Sequence, residues 1–158
     1  MADILRVLMA EDDEGHATLV RRNLKRGGLT SEPVHLRDGQ ELLDYIYHRG
    51  PWLDRPPHGA LAMILDLNMP RIGGTDVLAR LKGDERLARI PVFVLTTTDN
   101  PVELDRCYSL GAAACLVKPV DYGAFGDMIQ RLAEFLMAAH MPGELPSIGN
   151  GTWQQHRD

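Results

Sequence analysis

Cysteine is scarce: Cys107 and Cys115 are the only two in 158 residues, with no CxxC spacing and no histidine cluster beside them. That argues against a zinc site or a disulfide framework and suits a reduced, cytoplasmic setting. A basic excess is missing as well, since 17 lysines and arginines face 22 aspartates and glutamates for a net charge of -5. With a pI near 5.6, no general affinity for nucleic acid or for an anionic membrane is expected. No apolar run nears the ~18 residues of a membrane span, and Met1-Ala2-Asp3-Ile4-Leu5-Arg6 lacks the basic-then-apolar pattern of a secretory leader. Internal repeats are absent too. What is present is a chain 44% hydrophobic, of a length that builds one domain with a real core.

Leu5 to Ala10 is almost wholly apolar and stops at Glu11-Asp12-Asp13, the pattern of a strand buried on both faces. Ala17, Val20 and Leu24 then recur at helical spacing, with Gly27-Gly28 as a stop. Leu29 to Leu36 reads as a weaker strand at a sheet edge, because Pro33 cannot donate to a central ladder. A helix over Gln40 to His48 and a proline-rich loop from Trp52 to Gly59 precede the apolar run Leu61-Ala62-Met63-Ile64-Leu65, which ends on Asp66. Thr75 to Lys82 is helical, Ile90 to Thr96 is another buried strand, and Asn100-Pro101-Val102-Glu103 opens a helix that stops at Gly111. Ala113 to Val117 is a fifth strand, and Phe125, Met128, Ile129, Leu132, Phe135 and Leu136 form the last helical stripe. Five strands alternating with five helices predict an α/β fold with a doubly wound parallel sheet. The domain is expected over 1–140, with 141–158 an irregular tail whose only large anchor is Trp153.

Open sheets of this kind work outside the carboxyl ends of their strands. Glu11 and Asp12 follow the first strand, Asp66 ends the third, Thr96 the fourth and Lys118-Pro119 the fifth. Clustered carboxylates repel unless a hard cation neutralises them, and Mg²⁺ is the expected choice. Asp66 is then a candidate nucleophile for a phosphoryl group, with Lys118 and Thr96 serving its oxygens. Alone, each residue has a blander reading: a turn aspartate, helix N-terminal acids, a surface lysine, a strand-end threonine. Their convergence on one edge favours the functional one. Asp13 is expected only to serve the helix terminus, and the two cysteines, the histidines and the methionines are expected to be packing or surface residues.

The motifs Val7-Leu8-Met9-Ala10-Glu11-Asp12, Leu65-Asp66-Leu67-Asn68-Met69-Pro70 with Gly74, Val94-Leu95-Thr96 and Val117-Lys118-Pro119 resemble those of response-regulator receiver domains of two-component signalling. The resemblance spans residues 4 to 139. It implies a flavodoxin-like strand order 2-1-3-4-5, Asp66 as phosphoacceptor, and a Mg²⁺ site of Glu11, Asp12, Asp66 and the Asn68 backbone carbonyl. It also implies a switch pair of Thr96 and Lys118, a cis Lys118–Pro119 bond, and a histidine kinase as donor. Transfer to Asp66 would be self-catalysed, with no other enzymatic activity expected. The chain departs from the family pattern at Cys115, where an aromatic residue is common, so the response is expected in the loop after Thr96 and the helix from Pro101. A second expected departure is the lack of an output domain after the fifth helix. The long loop before Asp66, the Leu-Asn-Met-Pro turn and the Thr96-Thr97-Thr98 run are similar to the single-domain regulators that partner bacterial phytochromes. That narrower likeness implies a bacteriophytochrome kinase and a homodimer through helix 4, strand 5 and helix 5, with Asp105, Arg106, Asp127 and Arg131 as polar contacts.

Other readings use similar parts. A haloacid-dehalogenase-type phosphatase also has a nucleophilic aspartate and Mg²⁺, but needs an acid where Asn68 stands. A flavodoxin-like cofactor carrier needs a Ser/Thr/Gly-rich loop where Glu11-Asp12-Asp13 stands. A phosphorylation-independent binding module would have lost one of the acids, Asp66 or the lysine, and all are present.

Overall fold

A computed structural model describes residues 4–144. The strands are β1 (Arg6–Ala10), β2 (Val34–Leu36), β3 (Leu61–Asp66), β4 (Val92–Thr96) and β5 (Ala114–Val117). Between and after them lie α1 (Glu14–Arg26), α2 (Gly39–Ile46), α3 (Gly74–Gly83), α4 (Pro101–Ser109) and α5 (Tyr122–Ala138). All pairings are parallel, in the order β2-β1-β3-β4-β5. This is the doubly wound parallel sheet expected from the strand and helix alternation, in the flavodoxin-like order that the family resemblance implied.

The sheet divides the core into two layers. Leu8, Ala10, Met63, Leu65, Val92 and Val94 face α2, α3 and α4, while Val7, Met9, Ala62, Ile64, Phe93 and Leu95 face α1 and α5. Every residue of β3 is buried, which is why its sequence shows no polar alternation. Each aliphatic side chain fully buried here stabilises the fold by roughly 1.5–3 kcal/mol.

Helix starts carry their own punctuation. Asp13, Asp38, Asn100 and Asp121 cap α1, α2, α4 and α5 by accepting from backbone N–H groups of the first turn. Gly74 begins α3 against the end of β3: a Cβ there would meet Leu67 Cα at 2.5 Å and the Asp66 carbonyl at 2.7 Å. Only glycine lets the helix return so close to the strand carrying Asp66.

Three local expectations are corrected. The second strand is shorter than Leu29 to Leu36, because pairing begins only after Pro33, at Val34. The segment before β3 includes a 3-10 turn at Gly50–Trp52. No cis peptide bond occurs among the described residues, so Lys118–Pro119 is trans, the form that X–Pro bonds favour by roughly 0.5–1 kcal/mol.

The chain past α5 turns back beneath the sheet. Leu61 donates its N–H to the Pro142 carbonyl at 3.1 Å, Ala60 bridges Gly143, and Glu144 donates to the His58 carbonyl at 3.3 Å. The folded body therefore includes Met141 to Glu144, past the expected boundary at residue 140. Trp153 and the remainder of the expected tail lie outside the described residues. Among the described residues no helix is long and apolar enough to cross a membrane.

Candidate functional site

Parallel register brings the ends of β1, β3, β4 and β5 to one rim. Ala10 pairs with Leu65, Asp66 with Leu95, and Thr96 with Val117, so Glu11, Asp66, Thr96 and Lys118 arrive together. Asp13 accepts from His16 N–H at 3.0 Å, which starts α1 at once and keeps Glu11 and Asp12 at the rim. That bond holds the Asp13 carboxyl below its usual range. As expected, Asp13 serves the helix terminus.

Glu11, Asp12 and Asp66 each offer a carboxylate oxygen within 4.8 Å of the others. Glu11 and Asp66 are buried and Asp12 is exposed, so the cluster has a wet side open to a ligand. Asp66 Oδ1 accepts from the Asn68 N–H at 3.0 Å, a turn that leaves Oδ2 for Lys118 Nζ at 3.3 Å. The Lys118 ammonium also meets Glu11 Oε1 at 3.2 Å and is itself buried. One cation thus serves two buried carboxylates. Burial first, then the hydrogen bond to Asp66 and its negative charge, push the Glu11 carboxyl up to about 9, against the pull of Lys118. Burial and crowding thus disfavour the charged form of Glu11 at this rim.

This donor set suits a divalent metal. It is all oxygen, and its most perturbed acid, Glu11, is raised first by burial and then by its hydrogen bond to Asp66 and the Asp66 charge, a charge that a hard cation would offset. Asn68, in the turn after Asp66, is exposed and its side chain donates to Thr97 Oγ1 at 3.2 Å. Thr96 is buried, and its hydroxyl accepts from Thr98 N–H at 3.1 Å. Its carbonyl accepts from Lys118 N–H at 2.7 Å, which ties the two rim positions by backbone. Where an aromatic residue is common in the resembled family, Cys115 donates its N–H to the Tyr108 hydroxyl of α4 at 3.1 Å. Burial and the Cys107 thiol push the Cys115 thiol up to about 12, so it behaves as an unreactive packing group.

One residue at this rim escaped the sequence reading. His16, expected to be a packing or surface histidine, brings Nδ1 to 3.3 Å from Lys118 Nζ and 3.2 Å from Glu11 Oε1. Its ring lies edge-on to Phe125 at 5.9 Å and Tyr122 at 6.5 Å. Its place in the first turn of the helix after Glu11-Asp12 was the available signal.

The chain matches the response regulator receiver domain model over residues 7–130. FilR2, a probable methanogenesis regulatory protein of Methanothrix harundinacea, is 35% identical over 130 residues, covering 82% of this chain and 81% of its own length. Response regulator Rcp1 of Synechocystis sp. is 32% identical over 129 residues, 82% of this chain and 86% of Rcp1. The crystal structure of Mn²⁺-bound Rcp1 matches with a TM-score of 0.80 at 30% identity, covering 87% of this chain and 98% of that one. The phosphorylated cyanobacterial phytochrome response regulator RcpA matches with a TM-score of 0.80 at 28% identity, covering 87% and 97%.

Proposed function

The chain belongs to the response regulator receiver domain family, and from that premise we propose that it accepts a phosphoryl group from a sensor histidine kinase on Asp66. The observation that carries this reading is Lys118 Nζ shared between Asp66 Oδ2 at 3.3 Å and Glu11 Oε1 at 3.2 Å at the strand ends. Asp66 Oδ2 attacks phosphorus, the phosphorus–nitrogen bond of the donor phosphohistidine breaks, and the released imidazole nitrogen takes a proton. Lys118 turns from Asp66 to a phosphoryl oxygen, and the Thr96 hydroxyl leaves the Thr98 N–H to donate to another. Glu11, Asp12, Asp66 and the Asn68 carbonyl would hold Mg²⁺, which would supply charge neutralisation for the transfer. Little bond chemistry is asked of the chain itself, since this transfer is mostly positioning and charge neutralisation.

The kinase is a bacteriophytochrome in this reading, supported by the likeness to RcpA, a phytochrome response regulator, over 87% of the chain. A homodimer forms through α4, β5 and α5, where Val102, Tyr108, Val117, Tyr122, Phe135 and Met137 are exposed and Asp105, Arg106, Asp127 and Arg131 are exposed among them. Asn68 in place of an acid disfavours the phosphatase alternative, and the intact set of Glu11, Asp12, Asp66 and Lys118 disfavours a phosphorylation-independent module.

The deciding experiment is labelling with acetyl phosphate and Mg²⁺, read by intact mass. The parent gains one phosphoryl group, while Asp66→Asn and the chelated parent gain none. Labelling of Asp66→Asn at the parental level would remove Asp66 from its role. Lys118→Ala is expected to keep the fold and lose the change in sedimentation that follows phosphorylation.

A further inference from the structure

We propose that His16 is a positioning residue for Lys118, holding its ammonium over Asp66 through a hydrogen bond to Nδ1 that outlasts the chemistry at the two carboxylates. This rests on Asp66 being the phosphoacceptor and says how the lysine serving it is kept in place.

Lys118 Nζ carries three N–H donors and no acceptor. It has three partners: Glu11 at 3.2 Å, Asp66 Oδ2 at 3.3 Å and His16 Nδ1 at 3.3 Å. Its side chain is only 5% exposed, so water is a poor substitute for any of them. Nδ1 also lies 3.2 Å from Glu11 Oε1; since an ammonium can only donate, the proposed bond to Lys118 takes Nδ1 as acceptor and assigns the ring proton to Nε2.

The three partners differ in what happens to them during transfer. Glu11 would serve a bound metal, and Asp66 becomes the acyl phosphate and loses its carboxylate charge. His16 is the acceptor that neither step consumes. Its imidazole packs at 79° to the rings of Phe125 and Tyr122, with centroids at 5.9 and 6.5 Å, both on α5. A neutral acceptor also leaves the ammonium its full charge for the incoming phosphoryl oxygens, which a third carboxylate would not. Lys118 thus pivots from Asp66 to the phosphoryl group about a bond that stays made.

Two variants separate positioning from packing. His16→Asn keeps an acceptor near the place of Nδ1, whereas His16→Leu keeps bulk and removes it. With acetyl phosphate at varied concentration, His16→Leu is expected to lower the maximal labelling rate about ten- to a hundredfold, the loss of one hydrogen bond to a charged group. The half-saturating donor concentration and the Mg²⁺ dissociation constant are expected to change less than about threefold, since the metal oxygens are untouched. His16→Asn recovers most of the rate. A second measurement uses metal-free protein: the Lys118 ¹⁵N ammonium signal, sharpened by protection from exchange in the parent, broadens in His16→Leu and returns in His16→Asn. A parental rate in His16→Leu, or His16→Asn no faster than His16→Leu, overturns the proposal. An unlabelled parent instead defeats the phosphoacceptor reading, and with it the pivot, while the ammonium signal still reports the His16 contact.

Discussion

The two rims of the sheet both bury charge, and they do it in opposite ways. At the carboxyl-terminal rim, Lys118 is shared between Glu11 and Asp66, His16 Nδ1 lies 3.2 Å from Glu11, and the Asp12 carboxyl lies nearby. At the amino-terminal rim, Glu144 is matched by Arg55 in a two-pronged pair, Nη2 to Oε1 at 2.7 Å and Nη1 to Oε2 at 3.3 Å. Glu144 Oε2 also accepts from His58 N–H at 2.7 Å, and Arg55 Nε donates to the Tyr45 carbonyl at 2.8 Å. The Arg55 guanidinium lies 4.2 Å over the Tyr45 ring, and Tyr45 in turn bonds His58 through its hydroxyl. One rim is charge-balanced and closed; the other is short of positive charge and open. Such an imbalance is one that a cationic ligand would cancel, which supports the proposed reading of this rim as the functional end.

Breaking each rim should have opposite consequences. Arg55→Met strands the Glu144 carboxylate, whose side chain is fully buried, and should cost about 3–5 kcal/mol of stability while Asp66 still accepts phosphate at temperatures where the variant is folded. Asp66→Asn should lose all labelling yet unfold within about 1 kcal/mol of the parent without metal, because it removes one of two crowded negative charges. Urea unfolding beside acetyl phosphate labelling reads both. If Arg55→Met lost labelling while folded, or Asp66→Asn fell by as much as Arg55→Met, the division of labour between the rims would be wrong.

A smaller effect follows from Glu11, whose carboxyl is raised from 4.5 to about 9. A group held protonated by folding contributes stability in full below its unfolded value and loses it as pH rises through the folded one. Metal-free protein should therefore weaken between pH 5 and 9, on the order of a few kcal/mol. Mg²⁺ should flatten that slope and release protons as it binds. A metal-free unfolding midpoint independent of pH over this range would refute the raising of Glu11 by burial and by Asp66.

The unbalanced rim was the part legible in sequence. Glu11 follows, and Asp66 and Thr96 end, apolar runs that read as buried parallel strands, while Lys118 follows the half-buried β5, and parallel register then places all four together. The balanced rim was not legible. Arg55 lies in a proline-rich loop and Glu144 in what reads as a tail, and nothing local links them until α5 returns the chain beneath β3. His16 fell between the two cases: its helix was legible, but not which side of the first turn faces Lys118. Pro33 was read correctly as a mark of the edge, yet pairing begins only after it, since without an N–H it closes the strand to Leu29.

The smallest expected effect tests whether the balanced rim is as closed as it looks. Burial lowers the pKa of both His48 and His58, and the Arg55 charge adds to this, with Glu144 opposing. For a base held neutral by folding the sign reverses from that of Glu11: stability is present above the unfolded value near 6.5 and is lost as pH falls through the folded one. His48 sits in the left-handed region with φ 54° and leaves its buried Nε2 without a hydrogen-bond partner, so charging it in acid relieves nothing. His58→Gln keeps a polar side chain opposite the Tyr45 hydroxyl and removes one of the two titrations. It should reduce the loss of stability between pH 6.5 and 5 by about 1 kcal/mol, with the slope between pH 7 and 9 unchanged. A change confined to the alkaline limb would mean that the two rims are electrostatically coupled through the sheet, and that the charge imbalance at Asp66 is set from both ends.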